Sequence, residues 1–302
     1  MNRTIKIFYL ILLYLSTFHF KAIAEPTVVR SKAVENVSGY ATMALTFNND
    51  GTKMYTSSMS AASGEKSDEV YEYDLTTAYN ISTATLRTSL DVGEYTDSTT
   101  HIHGAMQVVF NNDGTKMFIA DHNRNIIEWT LTTPYDIDTA STTFNLGQSF
   151  DTGGQEKRPT SVAFNNDGTK MYVAGNEKNN TNPGEVNEYT LDTPFVITSG
   201  VTHINTEDLS SDHSYIDGIV FNYDGTKMYT TASLAADNKI NQYKLTTAFD
   251  TSTLSLEGTL DLSNYGIEGG RETAFSSDGS KMFVVDEVEV VFEFNLSCNW
   301  SI

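Results

Sequence analysis

One nine-residue segment, Phe164-Asn165-Asn166-Asp167-Gly168-Thr169-Lys170-Met171-Tyr172, is written five times along the chain. The other copies run from Phe47 to Tyr55, Phe110 to Phe118, Phe221 to Tyr229 and, more loosely, Phe275 to Phe283. Each copy ends one apolar run, turns at Asp-Gly and begins another. That is a strong local hairpin signal, because glycine accepts the positive φ such a turn needs. The aspartates of successive copies lie 54 to 63 residues apart. Like hairpins at that period predict a repeat architecture.

The third unit shows the pattern most clearly. Thr160 to Phe164 reads as strand A, Lys170 to Ala174 as strand B and Val186 to Leu191 as strand C. After the turn Asp192-Thr193-Pro194-Phe195 comes strand D, from about Val201 to Asn205. Four short antiparallel strands in roughly 55 residues describe one propeller blade. The fifth unit ends at Ser297-Cys298-Asn299-Trp300 without a strand D, while Thr27 to Lys32 supplies a spare strand ahead of the first unit. Joining that strand to the last blade seals the ring and leaves no long edge open. The expected fold is all-β: a five-bladed β-propeller of four-stranded antiparallel blades, closed by the N-terminal strand.

Phe-Asn-Asn-Asp-Gly-Thr-Lys-Met-Tyr resembles the strand–turn–strand core of the YVTN, NHL and WD40-like propeller repeats, over nearly all of the chain past its first residues. The tetrad that names the YVTN repeats is replaced here by Met171-Tyr172-Val173-Ala174. The resemblance implies propeller architecture. It does not select an activity, because such families include binding scaffolds, surface proteins and some lactonases.

The start of the chain is different material. Arg3 and Lys6 precede an apolar run from Ile7 to Phe20, and Ala22-Ile23-Ala24 has a cleavage-site pattern. Residues 1–24 are therefore expected to be a signal peptide and 25–302 a single propeller domain, secreted or periplasmic. A run of about fourteen apolar residues falls short of the roughly twenty that span a bilayer, so no membrane span is expected after cleavage. Losing Arg3, Lys6 and Lys21 takes the formal charge from −20 to −23. Such a surface repels phosphate backbones and argues against nucleic acid as a partner. Cys298 is the only cysteine, so no intrachain disulfide is available. A monomer held by its core and by circular closure is expected.

The repeated polar residues read as structure. Asp50, Asp113, Asp167, Asp224 and Asp278 fit turn chemistry better than calcium, which needs more oxygen ligands at alternate positions. Glu72, Glu128, Glu188, Gln242 and Glu293 on strand C face the lysine that opens strand B and predict cross-strand ion pairs, weak if exposed. Tyr73, Trp129, Tyr189, Tyr243 and Phe294 read as core.

Residues that break the repeat carry more information about function. The D–A and B–C loops share one face at the mouth of the channel, where function tends to reside. Four residues before the strand-A phenylalanine stand Met43, Met106, Thr160, Asp217 and Arg271; next come Ala44, Gln107, Ser161, Gly218 and Glu272. The candidate ligand-binding residues are Asp217, Arg271 and Glu272, with Tyr215 and Arg158, and with His103 and His122 on neighbouring loops. Asp121, Arg124, Asp286 and Glu287 are further mouth positions. His101, His103 and His122 are the candidate metal ligands by residue type, although no cofactor is expected. The expected function is a scaffold binding a small polar ligand or a protein partner. The alternative is a lactonase-like or glycosidase-like hydrolase using Asp217 and Glu272 as a carboxylate pair. No nucleophile–base–orienter triad or phosphate loop can be read in the chain.

Overall fold

The computed structural model describes residues 25–35, 41–59, 68–93, 104–141, 148–176, 184–234 and 237–302. After the leading strand β1 (Thr27–Ala33), blade 1 comprises β2 (Ala41–Phe47), β3 (Lys53–Met59), β4 (Glu69–Leu75) and β5 (Ala84–Asp91). Blade 2 comprises β6 (Ala105–Phe110), β7 (Lys116–Asp121), β8 (Asn125–Thr130) and β9 (Ser149–Asp151). Blade 3 comprises β10 (Pro159–Phe164), β11 (Lys170–Gly175), β12 (Glu185–Leu191) and β13 (Val201–Asp208). Blade 4 follows with β14 (Gly218–Phe221), β15 (Lys227–Ala232), β16 (Lys239–Leu245) and β17 (Leu254–Asp261). Blade 5 has only β18 (Gly270–Phe275), β19 (Lys281–Asp286) and β20 (Val290–Asn295) from the end of the chain. Its fourth strand is β1, which lies antiparallel to β20 with Thr27 opposite Asn295 and Ala33 opposite Val290. The expected ring closure is therefore present.

The four strands of each blade run outward from the axis in the order A to D. Strand A of each blade abuts strand A of the next, and both A and B are buried almost throughout. Strand D is mostly exposed, as in β13 and β17. The aromatic ladder on strand C is core as expected, each ring being at most 2% exposed.

Each Asp-Gly turn is held by its own side chains. Asp167 Oδ1 accepts from Thr169 N at 3.0 Å and from Thr169 Oγ1 at 2.5 Å, and these bonds hold its carboxyl below the usual aspartate range. The same bonds recur at Asp50, Asp113 and Asp224. The glycine has a second reason to be glycine. In blade 3 it has φ +70°, and a β-carbon there would lie 2.2 Å from the ring of Phe195. Phe195 sits in the C–D turn with φ 54°, its N–H bonded to the Gly168 carbonyl at 2.9 Å. Tyr79, Tyr135, Phe249 and Trp300 repeat this arrangement with positive φ over their own glycines. The last of them shows what the chain terminus does: Ser297 to Trp300 completes the C–D turn of blade 5.

Blades are joined by these turn aromatics. The carbonyl of Phe249 in blade 4 accepts from Tyr172 Oη at 2.6 Å and from Lys170 Nζ at 2.8 Å, both in blade 3. Tyr55 and Tyr229 reach the carbonyls of Tyr135 and Trp300 in the same way. Where strand B carries phenylalanine instead, at Phe118 and Phe283, the lysines Lys116 and Lys281 reach the carbonyls of Phe195 and Tyr79. The strand-C acids do more than pair weakly at the surface. Glu72, Glu188 and Glu293 are 0–1% exposed, and each accepts a backbone N–H from the next blade's C–D turn: Ile137, Thr251 and Ile81. At such burial, ion pairs with Lys53, Lys170 and Lys281 neutralise charge that would otherwise be costly to hold.

Candidate functional site

Arg271 and Glu272 lie on strand A of blade 5, Asp217 and Arg158 just ahead of strand A of blades 4 and 3, and Tyr215 and His122 on the adjoining loops. The structure divides them into three groups. Tyr215, Asp217 and Arg271 converge between blades 4 and 5. Arg271 Nη1 lies 3.3 Å from Asp217 Oδ1, and its Nη2 lies 2.6 Å from Glu287 Oε2 on the B–C turn of blade 5. Tyr215 Oη is 2.9 Å from Ser233 Oγ. The charged residues that break the repeat thus engage one another.

Burial nonetheless holds the Asp217 carboxyl up, at about 6 against an ordinary 3.8, with Arg271 pulling it back down. The folded protein therefore binds more protons here than the unfolded chain between pH 4 and 6. Acidification through that window stabilises the fold, by up to about 1.4 kcal/mol per pH unit. The parent is expected to gain stability relative to Asp217→Asn as pH falls from 7 to 5. Denaturant melts at several pH values measure this, and parallel curves would mean that Asp217 titrates normally.

A second group lies between blades 2 and 3. His122 Nε2 is 3.5 Å from Asn176 Nδ2, and Asn176 N donates to the Arg158 carbonyl at 3.3 Å. The Arg158 residue is exposed. His101 and His103 lie outside the described residues, as do residues 1–24. Among the described residues no group of three or more His, Cys, Asp or Glu side chains is placed to hold a metal ion, and no helix is long and apolar enough to cross a membrane. The remaining mouth positions serve their turns or stand apart. Asp286 Oδ1 accepts from Val288 N and Val290 N, Asp121 Oδ1 accepts from Asn123 N, and Arg124 Nε lies 4.0 Å from Asp151.

Glu272 belongs to neither group. It is 1% exposed and turned into the channel. Its Oε2 accepts from Gln107 Nε2 at 2.7 Å, and its Oε1 from Thr273 N at 3.0 Å. Gln107 Oε1 in turn accepts from Ser161 Oγ at 2.7 Å and from Val162 N, and Ser161 Oγ accepts from Ile219 N at 2.8 Å. Four blades thus contribute to a polar plug across the axis. Gly218 gives it room, since a β-carbon there would lie 2.7 Å from Glu272 Oε1. Burial raises the Glu272 carboxyl well above the usual glutamate range, and the charge on Asp217 pushes the same way. Both influences favour the protonated form, which can donate as well as accept.

Beneath the Asp-Gly turns, on the face opposite the D–A and B–C loops, the channel holds a cavity of about 600 Å³. Gln107 and Glu272 form its floor, and the strand-A phenylalanines and turn residues form its wall and rim. Asn49 Nδ2 donates to the Asn112 carbonyl at 2.7 Å, and Asn112 and Asn166 donate likewise to the carbonyls of Asn166 and Tyr223. In blades 4 and 5 the equivalent positions are Tyr223 and Ser277, which carry no amide. Sequence reasoning looked for broken repeats only at the loop face. The same test applied to the turns would have singled out Tyr223.

One further polar cluster has the residue types of catalysis. His213 Nδ1 is 3.2 Å from Asp237 Oδ1, and its Nε2 is 2.8 Å from Thr230 Oγ1 and 3.0 Å from Asn241 Nδ2. Burial draws the His213 pKa down. With His213 1% and Thr230 0% exposed, no substrate reaches this set. It ties the D–A loop of blade 4 to the blade's own sheet.

The chain matches no family model and no curated protein.

Proposed function

We propose that this protein is an exported, monomeric, non-enzymatic propeller that binds a ligand in the cavity under its Asp-Gly turns. The cavity itself carries the reading: about 600 Å³ on the axis, closed at its inner end by the Gln107–Glu272 plug. That volume falls within the range of small-molecule sites, and walls made of inner strands are already ordered before a ligand arrives. The carboxylate-pair hydrolase is less well supported. Both acids of such an enzyme flank one bond, whereas only Glu272 lines the cavity. Asp217 stands one residue nearer the loop face and is engaged by Arg271. Arg158, Tyr215, Asp217 and Arg271, with His122 on a neighbouring loop, remain the proposed contacts for a protein partner at the opposite mouth.

Thermal-shift screening of small molecules against the purified protein tests the reading. Thr46→Trp, which fills the cavity from a half-buried wall position, is expected to abolish any shift. Combined alanine changes at Arg158, Asp217 and Arg271 are expected to leave it intact. The reverse pattern would move the site to the loop face, and turnover of a lactone or glycoside would replace binding with catalysis.

A further inference from the structure

The chain carries 39 acidic and 19 basic residues, yet of the side chains lining the cavity Glu272 alone bears a carboxyl, ammonium or guanidinium group. Charge has been kept out of this one concave surface. A ligand anion would find no cation to replace its lost water, and burying an unpaired charge is strongly unfavourable. What the cavity offers is amides, hydroxyls and aromatic rings, among them Gln107, Thr46, Ser277 and Trp300.

The aromatic rings differ in what they have free. Each strand-A phenylalanine is packed between two others; Phe221 lies 4.5 Å from Tyr172 and 5.4 Å from Phe249. Among the described residues no aromatic ring packs on Tyr223 in this way. It lines the cavity at the rim and is 74% exposed, the most exposed large apolar residue described. It also stands where the chain of asparagine bonds along the rim ends, so Tyr223 presents a hydroxyl where three other blades present engaged amides, while Ser277 meets Tyr79. A ring with one apolar face and one polar tip suits a ligand that is itself amphipathic.

We infer that the cavity receives a neutral, hydroxyl-rich ligand of the saccharide class, stacked on Tyr223 at the rim and hydrogen-bonded at its inner end to Glu272 and Gln107. The inference rests on the proposed use of the cavity and adds the class of its occupant. Neutrality follows because an anion finds no cation in the lining and a cation finds only a carboxyl whose oxygens already accept from Gln107 and Thr273; hydroxyl content follows from the mixed donors and acceptors at the floor. The need for an apolar face follows from the exposed ring of Tyr223.

Trp300 lines the cavity and reports on it by its emission. The test is a fluorescence titration of residues 25–302 with neutral gluco-, galacto-, manno- and N-acetylglucosamine oligosaccharides, beside their uronic-acid, sulfated and free-amine counterparts. A neutral member is expected to bind, and its charged counterparts to bind at least about ten-fold more weakly. Tyr223→Ala is expected to weaken binding by about ten-fold, Tyr223→Phe by much less. Equal or tighter binding of an anionic member, abolished by Thr46→Trp, would overturn the class and leave the cavity as a binding site. Binding indifferent to both Thr46→Trp and Tyr223→Ala, or no binding by any member, would overturn the inference.

Discussion

A chain lacking Thr27–Ala33 is expected to melt about 10 °C or more below the protein that retains it, and to aggregate on refolding. The strand is mostly exposed, so little of this loss comes from apolar burial. Its removal deletes the ladder to β20, which pairs six residues with a register shift between Val28 and Arg30. Backbone hydrogen bonds are worth about 1 kcal/mol each. It also removes Arg30, which lies 3.3 Å from the buried Glu293 and donates to Asn80 of blade 1 at 2.5 Å. Together these amount to several kcal/mol, and each shifts the melting temperature of a chain this size by about 2–4 °C. The bared edge of β20 adds a template for strand addition between molecules. Thermal melts beside a chain that starts at residue 25 make the measurement. Coincident curves would mean that β1 does not hold the ring shut.

The second large effect is expected at Glu188. Glu188→Ala should destabilise the protein by about 3–5 kcal/mol, since it leaves partners of a buried charge unsatisfied. Glu188 is 1% exposed; its Oε1 accepts from Lys170 Nζ at 2.6 Å, and its Oε2 from Thr251 N at 3.0 Å and Thr251 Oγ1 at 2.7 Å. The two Thr251 bonds cross from blade 3 to blade 4. Glu188→Gln should lose less than half as much, and the molecule contains the precedent. Blade 4 has Gln242 at this place, whose Oε1 accepts from Ile302 N at 3.0 Å and whose Nε2 donates to Glu257 at 2.5 Å. Urea melts of both variants decide it. A loss under about 1 kcal/mol for alanine would reduce the residue to a surface ion pair.

Strand order within a blade and turn positions are legible in the sequence, because each depends on residues close in the chain. Asp167 bonds to Thr169 two residues on, and the apolar runs flanking it pair with each other through the turn between them. The incomplete fifth unit and the spare segment at Thr27 were likewise a matter of counting strands. The strand-C acids were read half correctly. Their lysine partners were evident, but their burial and their bonds to the next blade were not. Asp217 and Arg271, both candidates because they break the repeat, pair with each other. Glu272 was grouped with them and turned out to serve a different neighbourhood.

The chain alone determined what is local: which segments are strands, where they turn, and how many blades the repeat yields, since hydrogen bonds and φ preferences within a hairpin act over a few residues. Only the closed ring decided which side chains meet. Gln107 and Glu272 are 165 positions apart and touch across the axis because two non-adjacent blades aim their first strands at one line. The emptiness beneath the turns has the same origin. A void is a property of how five blades space themselves around that line, and no single repeat encodes it.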